Sequence, residues 1–193
     1  MIEYVPSESI WRTVNAKGYM AIHCLQVNRG YTRQGYGSLL LNECMQASDG
    51  MNGVVIVTSP KPWVNDMKFF TKQGFKKIAA APPYFKLLVK QFKQSPLPEF
   101  NTGWEQRAAA CGTGIAVFYS RQCPIIDYAI KNIKEAAKEC GSMVTFRELS
   151  TAEEAQNAPS PYGTFCIIKD GVFLTHRIFS KERYAELFGN GFS

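Results

Sequence analysis

The segment Arg29–Ser38 reads RGYTRQGYGS and joins an apolar run to a run with helical spacing. Gly35 and Gly37 at a strand-to-helix turn leave backbone N–H groups uncovered, and the start of a helix adds positive potential there. Arg33 brings a charged donor to the same place, and Ser38 offers either an N-cap or one more hydroxyl donor. This combination suits a pyrophosphate, although two glycines also serve a plain tight turn. A dinucleotide fold needs a third glycine where Gly37 is followed by Ser-Leu-Leu, and a Walker loop needs Gly-Lys-Ser/Thr, which is absent.

Three further side chains carry chemistry. His23 and Cys24 are adjacent on an apolar strand, where alternation sends them to opposite faces, so at most one of the two faces any site there. His23 titrates in the useful range for a general base; the plainer reading is a packed strand histidine with a hydrogen-bonded neighbour. Cys123 precedes a long helix with Arg121 close by, a setting that activates an exposed thiol. Without an adjacent second cysteine it cannot run dithiol–disulfide exchange by itself.

The elements that position these groups follow from periodicity. Tyr19–Val27 is an apolar strand, Ser38–Ala47 a helix with Leu39, Leu40 and Met45 on one face, and Val54–Thr58 a continuous apolar strand. A helix from about Trp63 to Gln73 stops at Gly74, and strands flank Pro82-Pro83. The stretch Gln94–Gly103, with two prolines and no periodic pattern, reads as a linker with the boundary near Glu99. Beyond it come a helix at Trp104–Ala110, strand Ile115–Tyr119, helix Pro124–Cys140, strand Met143–Glu148 and helix Thr151–Gln156. A hairpin on Asp170-Gly171 and a helix from Lys181 complete the order. The sequence is α/β throughout, with no internal repeat.

Composition narrows the function. The 193 residues are 46% apolar and 13% aromatic, enough for ordinary cores, and no apolar run spans a bilayer. The N-terminus lacks a basic n-region, so the expected setting is cytoplasmic. Six cysteines (Cys24, Cys44, Cys111, Cys123, Cys140, Cys166) are scattered without CxxC spacing, and the chain has only two histidines, so no metal site is expected. Three disulfides are arithmetically open, but reduced, buried core thiols fit better. The net charge of +6 suits a polyanionic partner. Without a basic block or an aromatic RNP motif, nucleic acid is not expected.

Taken together, these residues resemble the GNAT superfamily of N-acetyltransferases, whose cofactor strand, loop and helix run L-x-V-x-P-x-x-R-G-x-G-x-G-x-x-L-L. Leu25 and Val27 match the strand, Gly35 and Gly37 the last two glycines, and Leu40-Leu41 the helix; Arg29, Thr32 and Arg33 stand where Pro, Arg and Gly are usual. Trp63–Phe75 is similar to the next family helix with its Lys-x-Gly-Phe ending. The runs Ile2–Pro6, Gly18–Met20 and Ile22–Cys24 resemble YoaP-type acetyltransferases, which carry a thioredoxin-like C-terminal part. The resemblance implies a partial GNAT acyl-CoA N-acyltransferase fold with a mixed sheet over residues 1–98, followed by a thioredoxin-like, YoaP-like α/β domain over 99–193. It implies that the family's elements ahead of Ile2–Pro6 are absent from this sequence. The acceptor site is then open, completed by a partner, or built by residues ahead of Met1, and the bare sheet edge favours a homodimer.

For the site, the resemblance implies acetyl-coenzyme A as co-substrate and an amine as acceptor. The cofactor is expected on Leu25, Gln26, Val27, Thr32, Arg33, Gln34, Gly35, Tyr36, Gly37 and Ser38. The strand backbone at Leu25–Val27 then holds the pantetheine and polarises the acetyl carbonyl. Phe70 stands where many members place a tyrosine that protonates the departing thiolate. In the second half, Ser120 and Cys123 resemble a thioredoxin corner whose first cysteine is replaced, which makes Cys123 the buried member, and Pro161 or Pro159 its cis-proline. The expected function is direct transfer of an acetyl group to an amine. The alternatives are coenzyme A binding without turnover and monothiol redox chemistry through Cys123.

Overall fold

A computed structural model describes residues 1–61 and 65–189. The chain forms two compact units, Met1–Asn101 and Thr102–Ser193. Among the described residues no helix is long and apolar enough to cross a membrane.

The first unit is built on strands β1 (Ile2–Pro6), β3 (Met20–Leu25), β4 (Gly53–Thr58), β5 (Lys76–Ala81) and β6 (Phe85–Gln91), in the sheet order β1-β3-β4-β6-β5. Strand β4, GVVIVT, is buried at every position, as an all-apolar run in the middle of a sheet should be. It is parallel to β3 and antiparallel to β6, so the sheet is mixed. Helices α1 (Tyr36–Ala47) and α2 (Met67–Lys72) cover one face, over a core of Met20, Ile22, Leu41, Cys44, Val54, Ile56, Phe70, Phe75 and Leu88. The sequence puts Leu39 on the buried side of α1, whereas Leu39 is 59% exposed and Leu41 only 2%. Leu41 and Cys44 make the buried stripe, three residues apart.

A short ribbon pairs β2 (Val14–Asn15) with β7 (Glu99–Phe100), and Asn101 donates its N–H to the Thr13 carbonyl. Residues 99–101 therefore fold with the first unit, and the change of unit falls after Asn101 instead of before Glu99. Pairing with a strand far back in the chain is invisible to local periodicity. The start of the helix expected from Trp63 lies outside the described residues; its described part begins at Met67, after the N-cap Asp66, whose carboxylate accepts from the Lys68 N–H.

The second unit opens with α3 (Trp104–Ala109). It then sets β8 (Ile115–Tyr119), β9 (Val144–Glu148), β10 (Phe165–Lys169) and β11 (Val172–Thr175) in the order β11-β10-β8-β9. Helix α4 (Ile126–Cys140) crosses from β8 to the parallel β9 and buries Ile126, Ala129, Ile133, Ala136 and Ala137. Thr151 and Glu154 cap α5 (Ala152–Gln156) reciprocally, and α6 (Lys181–Gly189) closes the unit.

Two expectations for this unit are corrected. Ser120 is buried and Cys123 exposed, the reverse of the assumed corner, because Ser120 continues β8 into the sheet while Cys123 lies in the turn before α4. Neither Pro161 nor Pro159 follows a cis bond; among the described residues the cis peptide is Pro82-Pro83. Cys140 is also exposed, so two of the six free thiols lie outside any core.

The α1 stripe gives a direct test. Leu41→Ala should cost about 2–5 kcal/mol in urea unfolding. Leu39→Ala, the substitution that simple spacing marks as equally damaging, should stay within about 0.5 kcal/mol of wild type.

Candidate functional site

The phosphate loop begins with a 3-10 turn at Arg29–Tyr31. Thr32 Oγ1 donates to the Arg29 carbonyl at 2.9 Å and Gln34 Nε2 to the Gly30 carbonyl at 3.1 Å, so both side chains are spent on fixing the turn. Arg33 follows with φ 61° and Gly35 with φ 85°, two left-handed residues in three positions. Gly35, not Ser38, is the residue at the helix boundary, and α1 starts two residues earlier than its apolar pattern indicates. The first N–H groups with intrahelical acceptors are those of Ser38 and Leu39, both bonded to the Gly35 carbonyl. No described residue accepts from the N–H groups of Arg33, Gln34, Gly35, Tyr36 or Gly37. Five consecutive donors without a protein acceptor thus stand at the positive end of a 12-residue helix, a setting that suits an anion, and Arg33 among them is exposed.

Gly37 is helical and serves a different purpose. A Cβ there would stand 3.2 and 3.3 Å from the Phe69 ring, so its absence lets α1 approach the start of α2. Ser38 Oγ accepts from Gln73 Nε2 at 3.0 Å, tying the same turn of α1 to the far end of α2. Tyr36 packs edge-on against Tyr31 at 5.9 Å. Together with Met1, Gln26, Val27, Asn28 and Leu40, these rings line an open groove of about 500 Å3.

Strand β3 delivers the other half of the site. Its pairing with β1 steps from Glu3–Cys24 to Tyr4–Ile22, which leaves His23 as the extra residue of a bulge. The bulge shifts the strand's phase: Leu25, not Cys24, packs with the core formed by Met20 and Ile22. His23 turns inward and is 4% exposed. Its Nε2 accepts the Trp11 N–H at 2.9 Å and its Nδ1 lies 3.2 Å from Glu3 Oε1. An acceptor at Nε2 fixes the proton on Nδ1, so the ring is neutral and donates to the carboxylate. Arg12 Nη2 donates to the His23 carbonyl at 3.1 Å. Both ring nitrogens are thus engaged, Nε2 in holding the Trp11–Arg12 turn against β3 and Nδ1 in bonding Glu3 of β1.

Beyond Ile22–Ile56 the parallel strands part, and Asn65 enters the gap. It accepts from the Leu25 N–H through Oδ1 at 3.0 Å and donates to the His23 carbonyl through Nδ2 at 3.2 Å. Sequence reasoning missed this residue, because a helix expected from about Trp63 takes Asn65 into its first turn, whereas the helix begins at Met67. It also missed Gln73, Glu3 and Trp11. Phe70 is 1% exposed between Phe69 and Phe75, at 5.1 and 5.3 Å in edge-on contacts, and Glu43 is exposed to solvent.

Comparison with known proteins agrees with this geometry. The acetyltransferase (GNAT) family profile matches residues 1–75, and the YoaP-like profile matches residues 144–185. The uncharacterized N-acetyltransferase YoaP of Bacillus subtilis (strain 168) is 31% identical over 191 residues, covering 96% of this chain and 76% of the relative. The chain belongs to the GNAT acetyltransferases. No solved structure matches it. Within this GNAT chain, the loop departs from the family pattern at Thr32, whose hydroxyl builds the turn, and at Arg33, which is exposed.

The His23 pair sets an acid limit on stability. Burial holds the His23 pKa below its ordinary 6.5, and the hydrogen bond from His23, ahead of smaller electrostatic contributions, holds Glu3 below its ordinary 4.5. The unfolded chain therefore takes up a proton at His23 that the fold resists, and stability falls as pH drops below about 6.5. The Glu3 contribution, full above about 4.5, is lost further down as pH passes its lowered folded value. His23→Gln, whose amide oxygen can accept the Trp11 N–H, should flatten the fall in melting temperature between about pH 6.5 and 5. An unchanged slope in calorimetry would show that other groups set it.

Proposed function

We propose that this protein transfers an acetyl group from acetyl-coenzyme A to an amine, with the loop 33–37 holding the pyrophosphate and strand β3 holding the acyl arm. The observation that carries this reading is the run of five open N–H donors at the start of α1, on the helix that directly follows the parted strand β3. Membership of the GNAT acetyltransferases supports the donor, and the name of the Bacillus subtilis relative supports an amine acceptor.

In this mechanism the amine nitrogen attacks the thioester carbonyl, a C–N bond forms, the C–S bond breaks, and the thiolate leaves to take a proton. Backbone donors on β3 oppose the charge that develops on the carbonyl oxygen. Holding both reactants removes the entropic cost of encounter, and no enzyme nucleophile takes part. His23, with its lone pair on the Trp11 N–H, would have to break that bond to act as a base. Phe70 has no proton to give, so solvent protonates the thiolate.

Acetyl-coenzyme A should stabilise the protein, by about 2.7 kcal/mol at 100 times its Kd. Gly35→Asp, which sets a carboxylate in the cradle, should abolish the thermal shift. Gly35→Asn, with similar tolerance of the left-handed backbone and no charge, should keep most of it. Release of free thiol with a suitable amine, followed by a thiol reagent, tests turnover. A thermal shift without thiol release across a broad amine panel would favour binding without turnover, and no shift at millimolar ligand would reject both.

We further read the second unit as thioredoxin-like, a reading supported by the order β11-β10-β8-β9 and the helix crossing from β8 to β9. Exposure of Cys123 ahead of α4 favours a monothiol role. Cys140 is equally exposed but is the last residue of the same helix. Since Cys140 Sγ donates to the Ala185 carbonyl at 3.4 Å, iodoacetamide should label Cys123 several-fold faster than Cys140 at neutral pH. Equal rates by mass spectrometry would leave Cys123 without a special role.

A further inference from the structure

Strands β3 and β4 pair at Met20–Val54, Ala21–Val55 and Ile22–Ile56, yet β3 continues to Leu25 and β4 to Thr58. Each strand is anchored on its outer side, β3 by β1 and β4 by β6 along its whole length. The inner edge of β3 beyond Ile22 must therefore find other partners or water. Asn65 meets it with one acceptor and one donor, on the Leu25 N–H and the His23 carbonyl, two residues apart along one edge. The amide cannot be turned over, because a backbone N–H needs the oxygen and a carbonyl needs the nitrogen. Its own backbone is tied to β4, where the Asn65 carbonyl accepts from the Ser59 N–H at 3.3 Å and Asn65 bridges Thr58. A single carboxamide thus does what the peptide of an added strand would do.

We infer that Asn65 is a displaceable occupant of strand β3: it holds the Leu25 N–H in the free protein and must release it before a carbonyl of an acyl donor's arm can bind there. The inference rests on the acyl-donor reading above. The argument is one of stoichiometry at a single hydrogen. The Leu25 N–H has one proton, already given to Oδ1, so an incoming carbonyl and Asn65 exclude one another there. The His23 carbonyl already accepts from Asn65 Nδ2 and Arg12 Nη2, so both its lone pairs are taken and an incoming N–H finds room there only once Asn65 withdraws. Any donor whose acyl oxygen uses Leu25 binds more weakly than it would to an empty edge, by the worth of the bond it displaces. Asn65 therefore favours donors that bring amides of their own to the strand, since an arm without them removes a hydrogen bond and returns fewer.

Three proteins separate the possibilities by calorimetric titration: wild type, Asn65→Ala and Asn65→Asp. Asn65→Ala should bind acetyl-coenzyme A about 3- to 10-fold more tightly, the range set by one net hydrogen bond. Asn65→Asp, which keeps an acceptor for the Leu25 N–H and strengthens it with charge, should bind more weakly than wild type. ADP, which has no acyl arm, should bind wild type and Asn65→Ala alike. In the free proteins, the Leu25 amide should exchange with solvent at least about 10-fold faster in Asn65→Ala than in wild type. Retained protection in that variant would overturn the hydrogen bond on which the inference stands. Equal or weaker binding of acetyl-coenzyme A by Asn65→Ala would overturn the exchange while leaving the acyl-donor reading intact. Absence of binding by all three proteins would overturn that reading, and the inference with it.

Discussion

Two parallel strands that stop pairing partway leave backbone polar groups at a buried sheet's centre with no strand to bond, and the first unit is arranged around that problem. Strand β4 cannot close the gap, because β6 holds it along six consecutive pairs, Gly53–Gln91 to Thr58–Lys86. Strand β3 cannot close it either, because the bulge at His23 bends it and its outer edge is pinned to β1. The gap is consequently a fixed feature of the fold, and the groups lining it are the backbone of β3, the Asn65 amide and the strand end that leads into the phosphate loop. Strand groups that no neighbouring strand takes and a helix start without protein acceptors therefore follow one another along the chain, and the proposed function uses the first for an extended arm and the second for an anion.

The bulge carries a second cost that the sequence around Trp11 answers. Turning His23 inward buries an ionisable ring, which is acceptable only when neutral and bonded at both nitrogens. Glu3 supplies the acceptor, the Trp11 N–H the donor, and Arg12 bonds the carbonyl of the same residue. Residues 3, 11, 12 and 23 are therefore one assembly that sets the bend of β3. A histidine so occupied keeps geometry better than it moves protons.

Much of this was legible from residue order. Alternation and apolar runs located the strands and the longer helices, because those signals come from burial on a face and recur at a fixed period. The glycine loop before α1 stood out because positive φ at Gly35 has few other solutions. What was not legible depends on partners distant in sequence. Asn65 finds Leu25 across 40 residues and Gln73 finds Ser38 across 35, and neither pairing has a local signature. Leu39 misled because three successive leucines fit two helical faces until the loop fixes where the helix begins. Cys123 misled because a buried serine at residue 120 moves the exposed position three residues along.

Arg33 shows how such departures are absorbed. An L-residue at φ 61° carries about 1–2 kcal/mol of strain, at a position where the family pattern has glycine. The residues on either side, Thr32 and Gln34, each give a side-chain hydrogen bond to the preceding turn, worth together about the same amount. The loop can thus hold a left-handed arginine without losing its shape. The exchange gives the loop an exposed cationic side chain, where glycine would have offered only backbone. Thr32, in the position where the pattern has arginine, spends its hydroxyl on the Arg29 carbonyl, and the loop carries its arginine one residue later.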